Sequence, residues 1–101
     1  MAPKLTLACW DYDRAKPVLD GSLVLADFDL VCQTETPGTL FPLAVNEARF
    51  DITELSFASY LVQVARGESQ YIALPIFLSR SFRHGAIYVH ADSGIETPKD
   101  L

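Results

Sequence analysis

The sequence has no long hydrophobic run. Its longest uninterrupted apolar stretch, residues 71–78, is eight residues and contains Pro75, whereas a helix crossing a bilayer takes about 20. A membrane span is therefore not expected. Basic charge is also scarce: eight Lys and Arg stand against 13 Asp and Glu, for a formal net charge of −5. That is the wrong sign for a surface that tracks phosphate backbones, which sets nucleic acid aside as a partner. Cysteine is limited to Cys9 and Cys32, far apart and without the paired Cys or His spacing of a zinc site, so two buried reduced thiols are expected. Nothing in the sequence demands a metal or an organic cofactor. Leu5–Trp10, with Asp11 close behind, is too short an apolar stretch for a secretory signal, and the chain is expected in the cytoplasm.

What is present is 101 residues, half of them apolar and 21% charged, the profile of one α/β domain with a single modest core. Leu5–Trp10 reads as a buried strand that empties into the polar loop Asp11-Tyr12-Asp13-Arg14. Arg14–Leu19 holds a short helical turn, with Pro17 in its first turn. Leu23–Leu25 and Phe28–Gln33 read as two strand pieces around a bend at Ala26-Asp27, the second alternating Phe28, Leu30 and Cys32 against Asp29, Val31 and Gln33. Thr39 is the expected N-cap of a helix to Glu47, with Leu40, Leu43, Ala44 and Ala48 on one face. Phe50–Glu54 is a short strand. Ser56 caps a helix over Phe57–Arg66 that Gly67 closes in the left-handed conformation, and its widely spread apolar residues predict burial. Tyr71–Phe77 and His84–His90 are the last two expected strands, the former apolar at every position, as for a strand covered on both faces. This order predicts a partly parallel sheet flanked by helices.

Three polar clusters lie where strands end, the place where open α/β sheets hold ligands. They are Asp11 to Arg14; Glu54 with Ser56 and Ser59; and Ser79-Arg80-Ser81-Phe82-Arg83-His84. In the third cluster an acidic chain has set two arginines and a histidine within five residues. The planar fork of arginine matches a carboxylate, so Arg14, Arg80 and Arg83 suit a small acid with more than one carboxylate, or else Arg80 and Arg83 form surface ion pairs. Ser56 at a helix start adds backbone donors and the positive dipole end. His84 titrates near neutral pH and is either a proton carrier or a structural residue. Glu54 is either a general base or a capping acid. Trp10, Tyr12 and Phe82 offer aromatic walls, or else Trp10 packs into the core, the commoner fate of a tryptophan.

These stretches carry a resemblance. Leu7-Ala8-Cys9-Trp10-Asp11-Tyr12-Asp13-Arg14, Phe50-Asp51-Ile52-Thr53-Glu54-Leu55-Ser56, Ser79-Arg80-Ser81-Phe82-Arg83-His84, Ile87-Tyr88-Val89, Asp92-Ser93-Gly94-Ile95 and Thr97-Pro98-Lys99-Asp100-Leu101 resemble, in order and over the whole chain, the N-terminal part of the 4,5-dihydroxyphthalate decarboxylase family. Ala26-Asp27 departs from the family, which tends to carry a glycine at that bend. The resemblance implies the first lobe of a type II periplasmic-binding-protein fold, residues 1–101 forming a single domain of a two-lobe protein. It also implies loss of carbon dioxide from a dihydroxylated aromatic dicarboxylate. Arg80 and Arg83 would grip carboxylate, His84 would move the proton, and Glu54 or Asp13 would meet the ring hydroxyl. The expected partners are that small dicarboxylate, the second lobe, and in an oligomer further copies. Thr97-Pro98-Lys99-Asp100 looks like the start of a helix, which reads as a chain continuing into a longer protein. The competing reading is a solute-binding protein that presents an aromatic or small organic acid to an ABC transporter. A third reading is an inactive fragment with exposed apolar surface.

Overall fold

The structure is a computed structural model and describes residues 2–101. Its centre is a three-stranded parallel sheet in the order β2-β1-β3, formed by β1 (Lys4–Cys9), β2 (Asp29–Thr34) and β3 (Ile52–Thr53). Three helices, α1 (Lys16–Leu19), α2 (Pro37–Glu47) and α3 (Phe57–Arg66), alternate with the strands. The expected α/β class with a partly parallel sheet flanked by helices is therefore what the chain adopts. No helix among the described residues is long and apolar enough to cross a membrane.

β1 is central because it is the most apolar strand, and Ala8 and Cys9 at its end are buried. The core is small: Ala8, Leu40 and Phe50 pack together, with Phe41 and Leu43 half-buried against them. In β2 the expected alternation holds, with Leu30 and Cys32 half-buried and their neighbours exposed. Ala26-Asp27 forms the expected turn. Both cysteines are free thiols; Cys9 is buried and Cys32 half-buried, its Sγ 3.6 Å from the Val18 carbonyl. Register sets Cys32 beside Leu7 and Cys9 beside Thr34, two residues out of step.

β3 has two residues, and a side-chain staple extends its hold on β1. Asp51 Oδ2 accepts from both the backbone N–H and the hydroxyl of Thr6, each at 2.8 Å, while the Asp51 N–H donates to Thr6 Oγ1 at 2.9 Å.

Several expectations are corrected. The N-cap of α2 is Thr36, whose side chain accepts from the Thr39 N–H, with Pro37 in the first turn; proline's fixed φ suits that position. Pro42 then falls inside the helix, where it removes one ladder bond. α3 has the expected bounds, Ser56 cap and left-handed Gly67 (φ 69°), but it buries no residue. Phe57, Leu61, Val62 and Val64 are each at least 49% exposed. Leu23–Leu25 is not a strand, and the Phe50–Glu54 strand shrinks to two residues.

Neither Tyr71–Phe77 nor His84–His90 is a strand. Pro75 is the physical reason for the first: it cannot donate to a ladder, and it sits in a tight turn closed by the Ile76 N–H on the Leu74 carbonyl at 2.7 Å. In the second, His84–Ala86 forms a 3₁₀ turn. The segment after α3 is tied down at few points, among them the Tyr71 hydroxyl on the Phe50 carbonyl at 2.9 Å. At the far end Thr97 and Asp100 form the capping box the sequence announces, around the 3₁₀ turn Pro98–Asp100.

Candidate functional site

Parallel strands bring their C-terminal ends to one side of the sheet, and two of the three polar clusters meet there. Leu7 and Ala8 of β1 lie beside Ile52 and Thr53 of β3, and the Glu54 N–H continues the ladder by donating to the Ala8 carbonyl at 2.8 Å. Glu54 thus leaves β3 next to the residues leaving β1. One oxygen of its carboxylate accepts from the Trp10 backbone N–H at 3.0 Å, and the other from the Tyr12 hydroxyl at 2.5 Å. With a donor on each oxygen, the carboxylate has a fixed orientation while keeping lone pairs for a further partner.

Tyr12 is half-buried at this junction. Desolvation, together with the hydrogen bond from its hydroxyl to Glu54 and that residue's negative charge, pushes its phenol up to about 12, against a smaller opposing effect of the Ser79 hydroxyl. The phenol is therefore a donor throughout the neutral range. Burial, followed by the charge of Glu54, also raises the Cys9 thiol beneath the site, which keeps it a protonated, weakly nucleophilic group.

Arg14 follows in the same loop. Its guanidinium lies over the Tyr12 ring, 5.8 Å from the centroid. Nη1 pairs with Asp13 Oδ1 at 3.1 Å, and Nη2 donates to the Leu78 carbonyl at 2.5 Å. Asp13 also accepts from the Arg14 backbone N–H at 2.8 Å. Two arms of the guanidinium are thus engaged within the protein, and one of them reaches across 64 residues of sequence to the start of the third cluster.

The third cluster joins the site at its N-terminal end. Ser79 lies against the Tyr12 hydroxyl, and its Oγ accepts from Arg83 Nη2 at 3.1 Å. Arg83 is thus paired with Ser79, and Tyr12 with Glu54. Arg80 lines an open hollow with Ser81 and Phe82, and Phe82 is 93% exposed. The His84 backbone begins the 3₁₀ turn; its side chain lies outside the described residues. Ser56 caps α3 two residues beyond Glu54, its side chain accepting from the Ser59 N–H at 3.4 Å.

The arrangement gathers Trp10, Tyr12, Asp13, Arg14, Glu54 and Arg83 and leaves Arg80 and Phe82 on the open flank. Trp10, 39% exposed, stands at the edge of the site and not in the core. Sequence reasoning placed Ser79 in the third cluster without giving it a role, and it did not single out the Leu78 carbonyl. The four-residue spacing of Ser79 and Arg83 is a weak signal outside a helix, and a backbone carbonyl carries none.

No protein-family model matches the chain. Among curated proteins it is similar to a 4,5-dihydroxyphthalate decarboxylase of Comamonas testosteroni, 45% identical over 97% of this chain and 30% of the relative. It is also similar to a 4,5-dihydroxyphthalate decarboxylase of Pseudomonas putida, 42% identical over 96% of this chain and 38% of the relative. The family resemblance read from the motifs is borne out. The chain spans about a third of the length of the curated relatives it matches.

Proposed function

We propose that this chain supplies one wall of the active site of a carboxy-lyase that converts 4,5-dihydroxyphthalate to 3,4-dihydroxybenzoate in the cytoplasm. The observation that carries the reading is identity of 45% and 42%, across nearly the whole chain, to two proteins named for that activity. The names of both relatives support a decarboxylase and lend nothing to a transporter-linked receptor. In this reading residues 1–101 are one α/β unit of the first lobe of a periplasmic-binding-protein-like protein, and a second lobe closes the cleft.

The substrate's own electronics set the chemistry. Each ring hydroxyl lies para to a carboxylate. Removing a phenolic proton pushes density onto the carboxylate-bearing carbon, which takes a proton; the bond to the carboxylate then breaks, carbon dioxide leaves, and the electron pair restores aromaticity. Such a reaction needs a base at the hydroxyl, an acid at the ring carbon and cations for the remaining carboxylate. Glu54 is our candidate for the hydroxyl contact, because its carboxylate is already oriented by Trp10 and Tyr12. Asp13 is the alternative. Arg80 and Arg83 are the carboxylate grips and His84 the proton carrier, while Trp10, Tyr12 and Phe82 form the aromatic wall and Ser56 contributes the helix start.

The test is to incubate the protein bearing this chain with 4,5-dihydroxyphthalate and follow carbon dioxide release. Glu54→Gln is expected to lower kcat by about 10²-fold or more, the usual contribution of a positioned base. Binding without release would shift the reading to a receptor.

A further inference from the structure

The contacts of Arg14 point to a role distinct from gripping substrate. We propose that Arg14 is a positioning residue, whose guanidinium, held by Asp13, clamps the Leu78 carbonyl and thereby presents the arm 79–83, with Arg80 and Arg83, to the strand-end site. The inference rests on the decarboxylase reading only for what the arm binds.

Three observations on different atoms converge. Asp13 fixes the near end of Arg14, through both the backbone N–H at 2.8 Å and Nη1 at 3.1 Å. The guanidinium lies over the Tyr12 ring, 5.8 Å from its centroid, within reach of a cation–π attraction. Nη2 then meets the Leu78 carbonyl at 2.5 Å, one residue before Ser79, which accepts from Arg83. The arm needs such a clamp because it lacks a ladder of its own: residues 78–83 belong to no helix or strand, and Ser79 to Arg83 are all exposed. A segment without regular hydrogen bonds keeps its arginines in place only through side-chain ties. A lysine, with a compact ammonium and no fork, cannot pair with Asp13 and Leu78 in the same plane.

Limited trypsin digestion of the substrate-free protein tests this directly, because the arm carries two cleavage points, Arg80 and Arg83, while Arg49 and Arg66 serve as internal references. Arg14→Met is expected to speed cleavage at Arg80 and Arg83 by about three- to tenfold, as befits loss of a partly exposed charge-assisted hydrogen bond, with cleavage at Arg49 and Arg66 unchanged. Asp13→Asn moves the arm rates in the same direction by a smaller factor. If Arg14→Met speeds all four sites, Arg14→Lys, which keeps the charge, carries the same comparison. In turnover, Arg14→Lys raises KM more than it lowers kcat. Unchanged arm cleavage in both Arg14 variants overturns the proposal whatever happens to activity. Faster arm cleavage in a protein that releases no carbon dioxide upholds the clamp and removes the decarboxylase reading instead.

Discussion

Tyr12 and Glu54 show how little is needed to define a reactive corner. A phenol and a carboxylate 42 residues apart meet because two parallel strands end side by side. Each changes the other: the carboxylate holds the proton on the phenol, and the phenol holds the carboxylate's orientation. Because the folded value of Tyr12 is raised above the free value of about 10, its contribution to stability is fully present below pH 10 and is lost as pH rises toward 12. Tyrosinate absorbance titration of the wild type should show one of the four tyrosines ionising late, with that step absent in Tyr12→Phe. Glu54→Gln removes the negative charge and should move the step back toward 10. The sequence made this pair visible only in part. It placed Glu54 and Tyr12 at strand ends, but the choice between capping acid and working carboxylate depends on where the oxygens point, which no spacing encodes.

At the scale of elements, legibility followed the locality of the signal. α3 was readable to the residue because its Ser56 cap and Gly67 terminator act within one turn. α2 was displaced at its start because two threonines, Thr36 and Thr39, both qualify as caps, and Pro37 decided between them. The strands after α3 were misread because an apolar run declares a wish for cover without saying what provides it. The attachment of β3 was missed for a related reason: it rests on Asp51 reaching Thr6, a contact across 45 residues. Hydrogen bonds from the Thr6 N–H, then from its hydroxyl, hold the Asp51 carboxyl below its ordinary value. The stability Asp51 contributes is therefore present above about pH 4 and lost as pH falls through the lowered folded value. Asp51→Asn should flatten the acid limb of a stability–pH profile, measured by denaturant titration from pH 2 to 6, relative to wild type.

The molecule as a whole is extended. Its radius of gyration is 17.8 Å and its extents are 63 × 34 × 22 Å, where a compact chain of this length has a radius of about 13 Å. Its accessible surface is 7999 Å², against about 5,700 Å² expected from its mass. Large apolar residues are exposed along the chain, and after α3 they include Ile72 and Tyr88, both above 85% exposed. Apolar surface on that scale binds hydrophobic dyes and drives association. The 101-residue chain alone should enhance the fluorescence of an anilinonaphthalene dye and sediment as larger species as concentration rises. Replacing Ile72 and Ile76 by serine should reduce both.

β1 precedes both of its neighbours in the chain yet lies between them. Its Thr6 must wait for Asp51, and its Leu7 for Cys32 and Ile52, before its edges are filled. During synthesis from the N-terminal end, at about 5–20 residues per second, the most apolar strand is thus made several seconds before the last of its partners. Its two bare edges make that nascent interval the time at which a chaperone, or a stray strand from another chain, has the best access to it.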